Sequence, residues 1–272
     1  MSELNKGEAG VHAIIDTDRY PLERLESSRS IALLEDCRQK LATDGMFNLD
    51  GFLRPGVAEQ AASEIAPLFP DHAFTHARRH NIYFQKGASE LPADHPALVE
   101  YETVNHTICA DQIPGSIVMK IYEWPPLAAF LARVMGKSAL HPMADPLARA
   151  NVMSYGAGEA LNWHFDRSEF TTTLLLQAPR AGGVFEYRTD LRTPDDPNFE
   201  GVAALLEDRD PLKRSLTPKA GALNVFKGKN TPHRVTPIEG ERDRIIGVFS
   251  YFERDGVMFT DEERIGFYGR AG

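Results

Sequence analysis

After Arg149 the chain is written in short apolar stretches of period two, separated by Gly, Pro, Asn and Asp. This pattern limits the possible folds more than any other feature. In RANVMSYGAG the alternation places Asn151, Met153 and Tyr155 on one face of a strand. FTTTLLLQAPRAGGVFEYR reads as two strands around a Gly-Gly turn, GALNVFKG and TPHRVTPI as paired short strands, and DRIIGVFSYF as a buried strand. Such a series predicts a β-sandwich or jelly-roll over residues 149–270.

The part before it reads differently. Residues 1–20 are polar and are expected to be loosely ordered. From Pro21 to about Ala42 apolar residues recur at helical spacing, and Thr43-Asp44-Gly45 supplies a stop. A second helix is expected after Pro55, an extended stretch at RRHNIYFQ, and a third helix in PPLAAFLARVMG between its prolines and Gly136. The reading is helices over 21–148 followed by the β core, with no clean linker, so 1–272 is expected to form one domain. The Asp- and Pro-rich stretch from Leu191 to Pro218 is a long excursion between strands and a candidate lid.

Composition narrows the function. The 272 residues carry a formal charge of −9, which argues against a nucleic acid or an anionic membrane surface as partner. No apolar run is long enough to span a bilayer, and the N-terminus lacks the pattern of a secretory signal. Cys37 and Cys109 suggest no disulfide framework, consistent with a cytoplasmic protein. The sequence leaves oligomeric state open, a homodimer included.

The chemistry concentrates in NWHFDRSEF. His164 and Asp166 lie two apart, so in an extended chain an imidazole and a carboxylate project to one side. Far downstream His233 opens another strand. Two histidines and one carboxylate form the facial triad that holds Fe(II) and leaves three positions open. One strand later comes Arg244, at the edge of a buried apolar run; a guanidinium there needs an anion, and the tail carboxylate of 2-oxoglutarate is a suitable one. Arg242 faces the same way and competes for the role. A zinc hydrolase could use the same triad, and a jelly-roll binding module could hold it as structure. Neither accounts for the arginine.

From about Tyr122 the chain resembles the Fe(II)/2-oxoglutarate-dependent oxygenases, and more narrowly the free-amino-acid (lysine-type) radical halogenases and their hydroxylase relatives. NVMSYGAGEALNWHFDRSEFTTTLLLQ, GGVFEY, HRVTPI, IIGVFSY and FYGR carry the likeness. The resemblance implies an α+β, mainly β chain: a double-stranded β-helix (jelly-roll, cupin-like) with N-terminal helices on the major sheet. It implies iron on His164, Asp166 and His233, 2-oxoglutarate on Arg244 with Tyr155, and O2 as co-reactant. Halogenases of the group replace the carboxylate by Gly or Ala to admit chloride. Asp166 therefore places this chain on the hydroxylase branch.

A small-molecule substrate, a free amino acid or derivative, follows from the same likeness. Arg78 and Arg79, in the basic stretch THARRHNIYF within the substrate-side part 21–148, are candidates to grip its carboxylate, with Arg79 expected to share a face with Asn81 and Tyr83. Glu123 is a candidate for its ammonium or a helix cap. Trp163 is expected to pack. Leu161 stands where a polar lysine contact would be needed, which argues against lysine itself. His72, His76, His80, His95, His106 and His141 have no ligand spacing and are expected on the surface or in the core.

Overall fold

The computed structural model describes residues 10–85 and 91–272. The elements in chain order are α1 (Ser28–Thr43), β1 (Met46–Leu49), α2 (Val57–Ile65), β2 (Phe74–His80), β3 (Tyr101–Ile108), α3 (Ile117–Tyr122) and α4 (Pro125–Val134). There follow β4 (Ala150–Tyr155), β5 (Leu161–His164), β6 (Thr171–Gln177), β7 (Phe185–Tyr187), α5 (Phe199–Leu206), β8 (Arg214–Leu216), β9 (Leu223–Phe226), β10 (His233–Val235), β11 (Arg244–Phe249) and α6 (Asp261–Tyr268). A four-residue helix (Phe69–His72), short 3-10 turns and two-residue strands fill the connections.

Two antiparallel sheets face each other. The major one has the order β1-β9-β6-β11-β4-β3-β2 and the minor one β8-β7-β10-β5. This is the jelly-roll, and its strands are two-sided as the period-two pattern requires. Ala150 and Val152, Leu174 and Leu176, Leu223 and Val225, and Ile245 and Phe249 join the helices in the main core. The alternate positions Met153, Tyr155, Thr171, Thr173, Asn224, Arg244 and Ile246 line a cavity between the sheets. Helix α1 contributes Leu34, Cys37 and Leu41, one buried stripe at spacings of three and four. Burial pushes the Cys37 and Cys109 thiols up to about 12 and 11, so both are unreactive as well as unpaired.

Several expectations are corrected. Ser27 caps α1 by accepting the Ser30 N–H, so the helix begins at Ser28 and Pro21–Ser27 is turn. The described part of the N-terminal segment is docked: Val11, Ile14, Ile15 and Tyr20 are buried in the main core, and Ile15 bridges Leu53. Residues 1–9 lie outside the described residues. GALNVFKG and TPHRVTPI do not pair with each other. β9 lies between β1 and β6 in the major sheet, and β10 between β7 and β5 in the minor one. Nor do β6 and β7 form a hairpin, since they too belong to opposite sheets. Three strands that precede residue 149 join the major sheet, so the β architecture is not confined to 149–270. Among the described residues no helix is long and apolar enough to cross a membrane.

Candidate active site

Strands β5 and β10 place the two histidines. His164 and His233 face each other directly in the register of this antiparallel pair. β5 ends at His164, and the chain then turns inward, fixed by Phe165 N–H donating to the Ile82 carbonyl at 3.2 Å and Asp166 N–H to the Gly228 carbonyl at 3.0 Å. One Asp166 oxygen comes within 3.3 Å of His164 Nε2 and 3.6 Å of His233 Nε2. The three ligand atoms all lie within 4.8 Å of one another.

The protonation pattern fits a cation. His164 Nδ1 is 2.8 Å from the Asn162 carbonyl and His233 Nδ1 3.1 Å from the Thr231 carbonyl. A carbonyl only accepts, so both rings donate from Nδ1 and turn Nε2 toward Asp166. Burial against Phe226 and Phe185 pushes His233 down to about 4, keeping it neutral. Burial pushes the Asp166 carboxyl up, but His233, His164 and the Thr171 hydroxyl, which donates at 2.6 Å, outweigh it and hold the acid well below its usual range. Two imidazole Nε2 atoms and a carboxylate oxygen thus converge, the donor set of a divalent metal. Adjacent ligands on an octahedral ion with ~2.1 Å bonds stand about 3 Å apart, close to the spacing here.

Gly228 sets the tightness of the site. A Cβ at this position would lie 2.0 Å from the Asp166 carboxylate. The tripeptide GKN at 228–230 carries no sequence signal for such an approach.

Behind the triad, β11 brings Arg244 opposite Tyr155 on β4. Arg244 is 4% exposed, and its Nε is buried without a partner. The Tyr155 hydroxyl has only Met153 Sδ, at 3.8 Å. A buried guanidinium with no carboxylate is costly, and the two unsatisfied groups suit the tail of a dicarboxylate. Arg242 is exposed and outside the cavity, which leaves Arg244 alone in that position.

The cavity measures about 770 Å³ and includes Arg78 but neither Arg79 nor Glu123. Strand β2 ends at His80, and Asn81 then holds a turn by accepting the Tyr83 and Gln85 N–H groups. Arg79 thus shares no strand face with Asn81 and Tyr83; it points out and lies 3.8 Å from Glu100. Glu123 is exposed at the end of α3 and pairs with Arg149 at 3.1 Å. Trp163 packs in a small core cluster, as expected. His76 and His80 line the cavity, which the sequence reading missed. The signal was their alternation with Arg78. Thr103 links His80 to the metal ligands: its hydroxyl meets His80 Nε2 at 2.9 Å and accepts the N–H of Asn162, whose carbonyl orients His164.

Comparison with known proteins agrees with this geometry. The family model described as Halogenase D matches residues 30–260. No curated protein matches the chain. Among solved structures, the chain is similar to the epimerase SnoN from nogalamycin biosynthesis in complex with Fe3+, alpha ketoglutarate and nogalamycin RO (15% identity, 82% of this chain and 84% of that one, TM-score 0.54). It is also similar to a Pseudomonas putida prolyl-4-hydroxylase (16%, 82% and 100%, 0.51) and to AviO1 from Streptomyces viridochromogenes Tue57 (14%, 82% and 96%, 0.53). At these identities the likeness establishes a shared fold. With a family match across most of its length and the jelly-roll of the Fe(II)/2-oxoglutarate oxygenases, the chain belongs to the Halogenase D family.

Proposed function

We propose that this chain is an Fe(II)- and 2-oxoglutarate-dependent dioxygenase that hydroxylates an unactivated C–H bond of a small polar substrate, a free amino acid or derivative. It works in the cytoplasm as one domain. The carrying observation is the convergence of His164, Asp166 and His233 beside the buried Arg244 guanidinium, which among the described residues has no acidic partner.

When bound, ferrous iron would supply the activation of O2, one oxygen atom going to the C–H bond as hydroxyl and the other to succinate as 2-oxoglutarate loses carbon dioxide. His164, Asp166 and His233 hold the metal. Arg244 and Tyr155 orient the cosubstrate by its far carboxylate. Asp166 fills the position a halide would need, so the reaction ends in hydroxylation. Phe165, Phe185 and Phe226 keep the cavity apolar around the ligands and exclude water. Arg78 is the candidate for the substrate carboxylate. The excursion 191–218 forms one wall through Arg192 and Pro218, but its α5 packs in a buried cluster and its β8 joins the minor sheet, so any lid is confined to the loops between them. A zinc hydrolase would leave Arg244 without a task.

The test is turnover of 2-oxoglutarate to succinate with Fe(II) and ascorbate, together with a mass-spectrometric screen of amino acids for products heavier by one oxygen atom. Asp166→Ala is expected to abolish hydroxylation and, with added chloride, to give traces of chlorinated product. Full hydroxylation by this variant would end the proposal.

A further inference from the structure

The charges around the cavity are lopsided. Among the described residues Asp166 is the sole carboxylate that lines it, whereas Arg78, Arg167, Arg192 and Lys229 line it in addition to Arg244. This is an excess of cations within a chain of net charge −9. All four are exposed or half-exposed, which places them at the mouth.

The arginines are mounted, each on a phenylalanine. The Arg192 guanidinium lies 3.8 Å from the Phe165 ring centre, Arg78 4.7 Å from Phe84, and Arg167 5.7 Å from Phe267. Stacking on a ring fixes the plane of a guanidinium while its N–H groups, which lie in that plane, stay able to donate sideways. Arg192 is further held by donating from Nε and one terminal nitrogen to the Lys229 carbonyl, at 2.9 and 2.6 Å. Among the described residues neither Arg78, Arg192 nor Lys229 has an acidic partner, and Arg167 has only an exposed contact with Glu263 at 3.7 Å.

On the proposed reading, ferrous iron, the Asp166 carboxylate, the Arg244 guanidinium and dianionic 2-oxoglutarate cancel one another. The charge at the mouth is then unmet with cosubstrate in place. One carboxylate of an ordinary amino acid does not balance it, and a cationic side chain would meet repulsion with no acid to offset it. We infer that the substrate carries a second anionic group: an acidic amino acid or a phosphorylated small molecule, gripped by Arg78, Arg192 and Lys229. The inference rests on the dioxygenase reading and narrows its substrate class.

The experiment uses anaerobic protein loaded with Fe(II) and saturating 2-oxoglutarate, so that acids cannot occupy the cosubstrate site. The visible charge-transfer band of the ferrous keto-acid chelate reports that loading. Calorimetry then compares glutamate, aspartate and O-phosphoserine with glutamine, leucine and lysine. At least one acid is expected to bind ~10-fold or more tightly than glutamine or lysine, and more weakly as salt rises. Arg192→Gln and Lys229→Gln should each erase that preference while retaining the band, which shows that the site is still folded. If no acid outbinds its neutral counterpart, or if both variants keep the preference, the inference fails. A normal band with no acid preference overturns the substrate class alone, whereas failure to form the band overturns the dioxygenase reading.

Discussion

Two residues show how narrowly the site is built. Gly228 has an ordinary backbone conformation but is pressed against the Asp166 carboxylate, so Gly228→Ala must displace a metal ligand. We expect loss of activity and a large drop in ferrous affinity, measured by metal titration, with a near-native circular dichroism spectrum. Arg244→Ala removes the one buried guanidinium facing Tyr155. Truncating one partner of a buried charge pair, here the one proposed between Arg244 and the far carboxylate of 2-oxoglutarate, costs about 2–5 kcal/mol, to be read as a steep rise in the 2-oxoglutarate concentration for half-maximal turnover. The triad and Arg244 were legible because spacing on strands fixes which side chains share a face. Gly228, His80 and the arginine mounts were not, because close approach and stacking arise between segments distant in sequence.

At the scale of elements, a buried acid anchors the start of α6, whose far end is held by Tyr268 donating to Asn151. Asp145 is fully buried; it accepts N–H groups from Leu147, Ala148 and Phe259, and Arg264 of α6 donates to it at 2.8 Å. Burial pushes its carboxyl up, but these donors prevail and hold it below the usual range. A folded-state value below the unfolded one means that the unfolded chain takes up the proton first as pH falls. The contribution is therefore complete above pH ~4 and is lost below it. Asp145→Asn should cost about 3–5 kcal/mol at pH 7 in chemical denaturation, and progressively less as pH falls below ~4 and through the folded-state value. The sequence predicted most elements but not their partners. β9 and β10 look like a hairpin because their turn is short and polar, whereas each side chain set finds its complement in a different sheet. The N-terminal segment looked frayed since its few apolar residues, Val11, Ile14 and Ile15, are spread among polar ones. Their burial depends on a groove that only the assembled fold provides.

For the whole molecule, a metal that binds the folded chain and not the unfolded one shifts the melting equilibrium. Ferrous iron, or manganese as a redox-stable substitute, should raise Tm; at a hundredfold excess over Kd the stabilisation is about 2.7 kcal/mol. His233→Ala should abolish the shift, as read by scanning calorimetry with and without metal. The opposition of His164 and His233 across β5 and β10 has its own implication. These strands are only four and three residues long, and sliding one past the other by a single step would send every side chain of that strand to the reverse side. Bound iron would therefore add to the penalty of any other alignment, since only this one brings both imidazoles to the same side, and chains refolded in its presence should reach the native form in higher yield than chains given metal afterwards.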